Sequence, residues 1–251
     1  MMLPNLQGGY SFLRGAKPFS AGVVAQSGFA IEHVRLSRPA RWKTGFELLE
    51  EHLRAAGRPR SSLCAVALRS PAAFTFQGFK EFNDAYVDHL KSWDLLVDGV
   101  NPIARTNVAP ELLPPAEPSL HSFAYTVPAE GRPVSFVVAG GGELPDGSFD
   151  PADIVRLNDT TPGAMAEKAA FVLGLMEERL HGLGASWDRV THTNIYTVHD
   201  VNALLRAVVL PRIGAAAGHG VTWHYTRPPI VGIEYEMDVR GATRETVLQV
   251  A

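Results

Sequence analysis

The sequence predicts an α/β (α+β) fold built twice over, each unit a mixed β-sheet with two helices packed on one face. Two observations carry this. Segments with helical periodicity alternate with single strand-like runs, the pattern of helices laid on a sheet. The order hairpin, helix, strand, helix, strand, strand then occurs twice in 251 residues, and the first helix and central strand of each half superimpose without a gap, Gly57 on Gly184 and Val66 on Thr193. At about 125 residues apiece, units 1–128 and 129–251 can each hold a core.

Composition narrows the function classes. Twenty-three basic and 26 acidic residues give a net charge of -3, without the basic footprint of a nucleic-acid binder. Cys64 is the only cysteine, which excludes an intrachain disulfide and a thiolate metal cage. Residues 1–22 hold no continuous apolar segment of the secretory type. No run approaches the roughly 20 apolar residues of a membrane span. The expectation is a soluble cytoplasmic protein.

In order, residues 1–18 are rich in Gly and Pro and read as an irregular arm. Val23–Ala25, a turn at Gln26–Gly28 and Phe29–Val34 read as a hairpin. Thr44 and Glu47 form a capping box for a helix with Phe46, Leu49, Leu53 and Ala56 on one face and Gly57 as its stop. Ser62–Arg69 is a buried strand in which Cys64 is a small core residue. Phe76, Phe79, Phe82, Tyr86 and Leu90 mark a second helix from Thr75 to Leu90, and the aromatic stripe reads as core. Strands at the Arg105 segment and at Ser119–Tyr125 close the unit.

The pattern restarts after residues 128–133. Residues 134–140 form a strand running into three glycines. Thr161 caps a helix with Pro162 at its first position, with Met165, Ala169, Val172, Met176, Leu180 and Leu183 as its buried face. A strand follows at Arg189–Thr197, then a helix from Asp200 to Val209 stopped by Pro211. Val221–Arg227 and Ile230–Val239 complete the copy, read as antiparallel neighbours. In the last, Ile233, Tyr235, Met237 and Val239 share one face and Glu234, Glu236 and Asp238 the other.

The chemistry concentrates in three groups. Arg105, with Asn107 beside it, is presented by the rigid turn Asn101-Pro102 and a strand, and a guanidinium suits two-point capture of a carboxylate. The equivalent place in the second half is a polar-aromatic strand carrying His219, Trp223, His224, Tyr225 and Arg227. The third group is the acidic face of the last strand. There Glu234 can meet His219 or His224 across the sheet, while Glu236 and Asp238 read as a solvated face. No phosphate-binding glycine loop, HExxH helix or GxSxG elbow is present.

Short motifs in a shared order then narrow the reading. Pro18-Phe19-Ser20-Ala21-Gly22-Val23-Val24 followed by Gly28-Phe29-Ala30-Ile31 resembles the N-terminal signature of the RidA/YjgF family of enamine/imine deaminases. Ile103-Ala104-Arg105-Thr106-Asn107-Val108 resembles that family's PAR[ST]xV motif, Leu183–Val190 its AAG-S-DDV region, and Ile233-Glu234-Tyr235-Glu236 its IEIEA strand. The resemblance implies that Arg105 binds a substrate carboxylate and that Glu234 handles the attacking water. Arg105 and Glu234 sit in different halves. The first half has Leu120 or His121 at its glutamate position, the second has His219 at its arginine position, and Phe19 stands for the family's tyrosine. Glu234 and His219 are thus the expected acid/base pair, with Asn107, Phe19, Trp223, His224 and Arg227 around the substrate.

The double length resembles the family's deaminases of 2-aminomuconate and its chlorinated relative, which implies a dicarboxylate substrate, hydrolytic loss of ammonia and no metal or organic cofactor. The family's trimers imply a homo-oligomer, trimeric or of stacked trimers. Two other functions fit the same fold. One is a binding protein for small carboxylates. The other is a lyase or hydrolase acting on chorismate-like acids.

Overall fold

The computed structural model describes residues 1–131, 134–148 and 150–250, so Arg132 and Pro133 of the restart segment lie outside the described residues. Its strands are β1 (Met2–Asn5), β2 (Tyr10–Leu13), β3 (Gly22–Ala25), β4 (Phe29–Arg41), β5 (Leu63–Arg69), β6 (Ala104–Pro110), β7 (Ser119–Pro128), β8 (Phe136–Gly142), β9 (His192–Thr197), β10 (Thr222–Arg227), β11 (Glu236–Gly241) and β12 (Arg244–Leu248). Among the described residues these form one mixed sheet in the order β1-β2-β3-β8-β11-β9-β10-β6-β5-β7-β4-β12.

Helices α1 (Trp42–Ala55) and α2 (Phe76–Ser92) cover one sector of the sheet. Phe46, Leu49 and Leu53 of α1 and Tyr86 and Leu90 of α2 pack there on Val66, Leu68, Leu120 and Phe123. Helix α3 (Pro162–Gly182) covers the other sector, with the helical segment α4, which spans Asn202–Leu204, a π turn at Leu205–Val209 and Leu210–Ile213. Met165, Ala169, Val172, Met176 and Leu180 pack there on Val138, Ile195, Tyr235 and Val239. Each fully buried Leu, Val or Phe contributes roughly 1.5–3 kcal/mol. The opposite faces of the two sectors meet through a third core of short side chains, Ala65, Ala104, Ala124 and Ala139, with Tyr10 and Phe12. Small residues let the strands approach, and Ser20 bridges Ala104 directly.

Several expectations change. Residues 1–18 carry a hairpin, with Met2 to Asn5 paired to Leu13 to Tyr10. Its turn is held by the Asn5 side-chain Oδ1, which accepts from the Gly8 amide, and by Gly9 at φ +72°. The short alternation Tyr10–Phe12 is masked in the sequence by its Gly and Pro surroundings. The turn at Gln26–Gly28 exists, with Gly28 at φ +86°, yet β3 and β4 do not form a hairpin. β3 pairs with β2 and β8, whereas β4 pairs with β7 and, in parallel, with β12. Alternation marks a strand but not its partner.

Helix α1 begins at Trp42, so Thr44 lies inside its first turn and Glu47 in its second, and no side chain caps it. A tertiary contact replaces the cap at Trp42, whose amide donates to the Pro118 carbonyl. Pro211 does not stop the fourth helix. It falls in the first turn after the π segment, where its missing N–H costs nothing. The final strand starts at Glu236 rather than Ile230 and lies between β8 and β9, while β10 pairs with β9 and β6. The last two strands are therefore not neighbours.

Candidate active site

The Asn101–Pro102 turn is tied to the N-terminal segment. The Asn101 amide donates to the Pro18 carbonyl at 2.8 Å and its Oδ1 accepts from the Ile103 amide at 2.9 Å. Ser20 Oγ donates to the Pro102 carbonyl. These bonds bring Phe19 over Arg105, with the guanidinium carbon 5.0 Å from the ring centroid. From α2, Tyr86 lies at 4.8 Å and Phe79 and Phe82 at 5.6 Å. The aromatic stripe read as core thus also forms a cation–π cage.

Arg105 is 3% exposed, and its Nη2 donates to Asn83 Oδ1 at 2.6 Å. Burial lowers its pKa to about 10, with Tyr86 and then Glu236 pulling the other way, so it stays charged at neutral pH. Three neighbouring polar atoms, Arg105 Nη1, Asn107 Nδ2 and Tyr86 Oη, are buried with no hydrogen-bond partner among the described residues. Each such group costs about 1–3 kcal/mol. All three can donate to an oxygen-rich ligand.

Across a cavity of about 100 Å³, β11 supplies Glu236, 4% exposed. Burial and then Asp238 push its carboxyl well above the usual carboxylate range, against Arg179, Glu143 also raising it and Arg105 lowering it. The three-glycine run of β8 makes room for it, because a Cβ on Gly140 would stand 2.2 Å from Glu236 Oε1 and 3.1 Å from Thr106. Arg179, from the last turn of α3, donates to the Ala139 and Gly140 carbonyls and to Asp146 at 2.7 Å. Phe19, Asn83, Asn107 and Arg179 all line this cavity with Arg105 and Glu236.

The stretch before β11 is fixed by a buried ion pair. Lys168 and Glu143 have no exposed side-chain surface and meet at 3.1 Å. The Glu143 carboxylate also accepts from the backbone amides of Glu234 (2.6 Å) and Tyr235 (3.0 Å), which sets the start of β11 and so the direction of Glu236.

The structure brings Arg105, Asn107 and Phe19 together and separates them from the other expected residues. Glu234 faces His199 at 2.9 Å, outside the Arg105 cavity. Neither His219 nor His224 meets it, because β9 intervenes between β10 and β11. His219 is exposed at the end of a short 3-10 turn. Trp223 is 42% exposed and donates to the Thr197 carbonyl, and Arg227 is exposed and paired with Glu111 at 2.7 Å. His224 stacks on Tyr196 at 4.8 Å in a different cavity. Glu236 and Asp238, read as a solvated face, are buried.

Glu236, Arg179, Asn83 and the glycines are what the sequence reading missed. One signal was available for Arg179, which falls three residues after Met176 on the apolar face of its helix. Among the described residues no group of three His, Cys, Asp or Glu side chains is placed to hold a metal, and no helix is long and apolar enough to cross a membrane.

Guanidinium and amide donors facing a buried carboxyl of raised pKa, carried on an α/β fold, are groups able to hold a small carboxylate and exchange a proton with it. The chain belongs to the family described as 2-aminomuconate deaminase CnbZ, whose model matches residues 2–246. It is 48% identical over 245 residues to a 2-amino-5-chloromuconate deaminase of Comamonas testosteroni, covering 96% of each chain. Among solved structures it is similar to a chorismatase (TM-score 0.49, 13% identity, 88% of this chain and 77% of that one). It is also similar to a cyanuric acid hydrolase (TM-score 0.40, 10% identity, 86% and 69%).

Proposed function

We propose that the chain hydrolyses a 2-aminomuconate-type enamine dicarboxylate to the 2-oxo acid and ammonia in the Arg105 cavity. The observation that carries this is the set of unpartnered donors on Arg105 and Asn107, facing a Glu236 whose carboxyl burial pushes well above the usual carboxylate range. One substrate carboxylate takes the Arg105 Nη1 and Asn107 Nδ2 donors, and Arg179 supplies the second positive charge.

Neutral Glu236 gives its proton to the enamine carbon, which forms the electrophilic iminium. The Glu236 carboxylate left behind is stabilised by Arg179 and Arg105. It takes a proton from water as the oxygen bonds to C2 and returns that proton to the amine. As the C–N bond breaks and ammonia leaves, the new hydroxyl becomes the 2-oxo group by giving its proton to Glu236, which restores the acid. A group whose pKa is raised by burial serves first as acid and then as base. This reading places on Glu236 the role that motif matching placed on Glu234.

The two helix-backed sectors support reading the chain as two tandem units, 1–128 and 129–251, that exchange β1–β3 and β12. Family resemblance supports a homo-oligomer, which light scattering reads directly. The deciding experiment follows ammonia release from freshly generated 2-aminomuconate. Arg105→Ala should lower kcat/KM by roughly 10- to 100-fold, the value of a hydrogen bond to a charged group. Wild-type turnover that persists unchanged in the variant would remove Arg105 from the site. No turnover by wild type would leave carboxylate binding without chemistry.

A further inference from the structure

The inner faces of the two sheet sectors enclose a second cavity, of about 150 Å³. Adjacent residues of β6 serve different sites. Arg105 borders both cavities, but its guanidinium is held by Asn83 among the α2 rings, whereas the Thr106 hydroxyl donates to Asp238 in the wall of the inner cavity. The floor is made of alanines, among them Ala65, Ala67, Ala104 and Ala139, which leave the space open.

Positive charge dominates this space. Arg69 of β5 is 4% exposed, donates to the Leu68 carbonyl and lies 5.7 Å from the Tyr196 ring, but makes no ion pair among the described residues. Arg35 of β4 stands exposed at the rim, also without an ion pair among the described residues. Arg240 of β11 is matched by Glu245 of β12 at 2.8 Å.

Four histidines complete the wall: His33 on β4, His121 on β7, His192 on β9 and His224 on β10. All four have lowered pKa values, His224 to about 4. Burial is the first cause in each, and the next is Arg240 for His33 and His192 and Arg69 for His121 and His224. His121 Nδ1 is buried without a partner. The carboxylates are already engaged, Asp238 by Thr106, Asn194 and Tyr196 and Glu245 by Arg240 and His192. Two guanidiniums therefore face the cavity without a carboxylate partner among the described residues, and for the buried Arg69 an unpaired charge is costly.

We propose that this inner cavity is an anion site, separate from the Arg105 cavity, that takes a small doubly charged oxyanion or dicarboxylate between Arg69 and Arg35. Burial and then the arginine fields lower the histidine pKa values, and an anion there acts in the opposite direction. Binding therefore takes up protons and tightens as pH falls from about 8 to 6.

The test is isothermal titration calorimetry of the full chain with inorganic phosphate and, separately, succinate, at pH 6 and pH 8 in buffers of different ionisation enthalpy. At least one probe should bind. Succinate, largely a dianion at both pH values, should do so with proton uptake and more tightly at pH 6, whereas phosphate, which itself gains a proton between the two, is judged by its binding at pH 8. Arg69→Gln and Arg35→Ala should each weaken it tenfold or more, and Arg105→Ala should leave it unchanged. Arg35 is exposed, so its variant keeps the test open should Arg69→Gln fail to fold. Response to phosphate alone identifies an inorganic ligand, and response to succinate an organic acid. Absence of binding by either probe, or binding indifferent to Arg35 and Arg69, overturns the proposal. So does binding lost only in Arg105→Ala, which would assign the signal to the Arg105 cavity.

Discussion

Replacing Glu236 by glutamine should make the protein more stable at neutral pH while removing its turnover. The folded-state pKa of Glu236 is raised, first by burial, above that of the unfolded chain. Below the unfolded value, about 4.3, both states hold the proton and the group contributes nothing. As pH rises past that value the unfolded chain releases its proton while the native protein keeps it, so wild-type stability falls until the folded pKa is passed. Glutamine is neutral throughout and escapes this loss.

The advantage of Glu236→Gln should thus be close to zero at pH 4 and grow by about 1.4 kcal/mol for each pKa unit of displacement. An unpartnered amide N–H would subtract about 1–3 kcal/mol at every pH. The diagnostic is consequently the slope of the difference with pH, read from urea unfolding between pH 4 and 8. Turnover should fall by about 10²- to 10⁴-fold, the usual worth of a positioned acid/base. Glu234→Gln, whose carboxylate faces His199, should change turnover less than tenfold. A stability difference that stays constant with pH would refute the reasoning about burial. Near wild-type ammonia release would refute the role in chemistry.

Two further substitutions probe how the site is held. Gly140→Ala places a methyl group 2.2 Å from Glu236 Oε1. It should cost about 1–3 kcal/mol by overpacking and turn the carboxyl away, so that kcat falls in a variant whose circular dichroism spectrum matches wild type. Lys168→Met strips the partner from Glu143 at a site with no exposed side-chain surface. It should cost about 3–5 kcal/mol in denaturant unfolding, and the double variant Lys168→Met, Glu143→Gln should recover part of that.

Glu143 also explains why a local motif could mislead. Glu234 and Glu236 flank Tyr235, one residue to either side, and carry the same functional group. The Glu143 carboxylate grips the amides of residues 234 and 235, so regular strand geometry begins only at Glu236. Glu236 then enters the space between β8 and β6, while Glu234 stays with His199. Nothing within residues 230–239 announces a carboxylate at position 143 or the lysine at position 168 that accompanies it.

The sequence by itself determined the α/β class, most helix faces and the presence of Arg105 on a strand. These rest on periodicity and turn chemistry, which act over a few residues. Phe46, Leu49 and Leu53 share a face because a helix repeats every 3.6 residues, whatever they pack against. The tertiary structure decided which strands pair and therefore what faces Arg105. β3 leaves the Gln26–Gly28 turn for β8 and β12 returns to β4, choices set by long-range pairing. The same long-range packing fixed the charge states. The pKa of Glu236 is raised and Arg105 remains short of partners because of what surrounds them from distant parts of the chain, and burial is a property of the assembled fold.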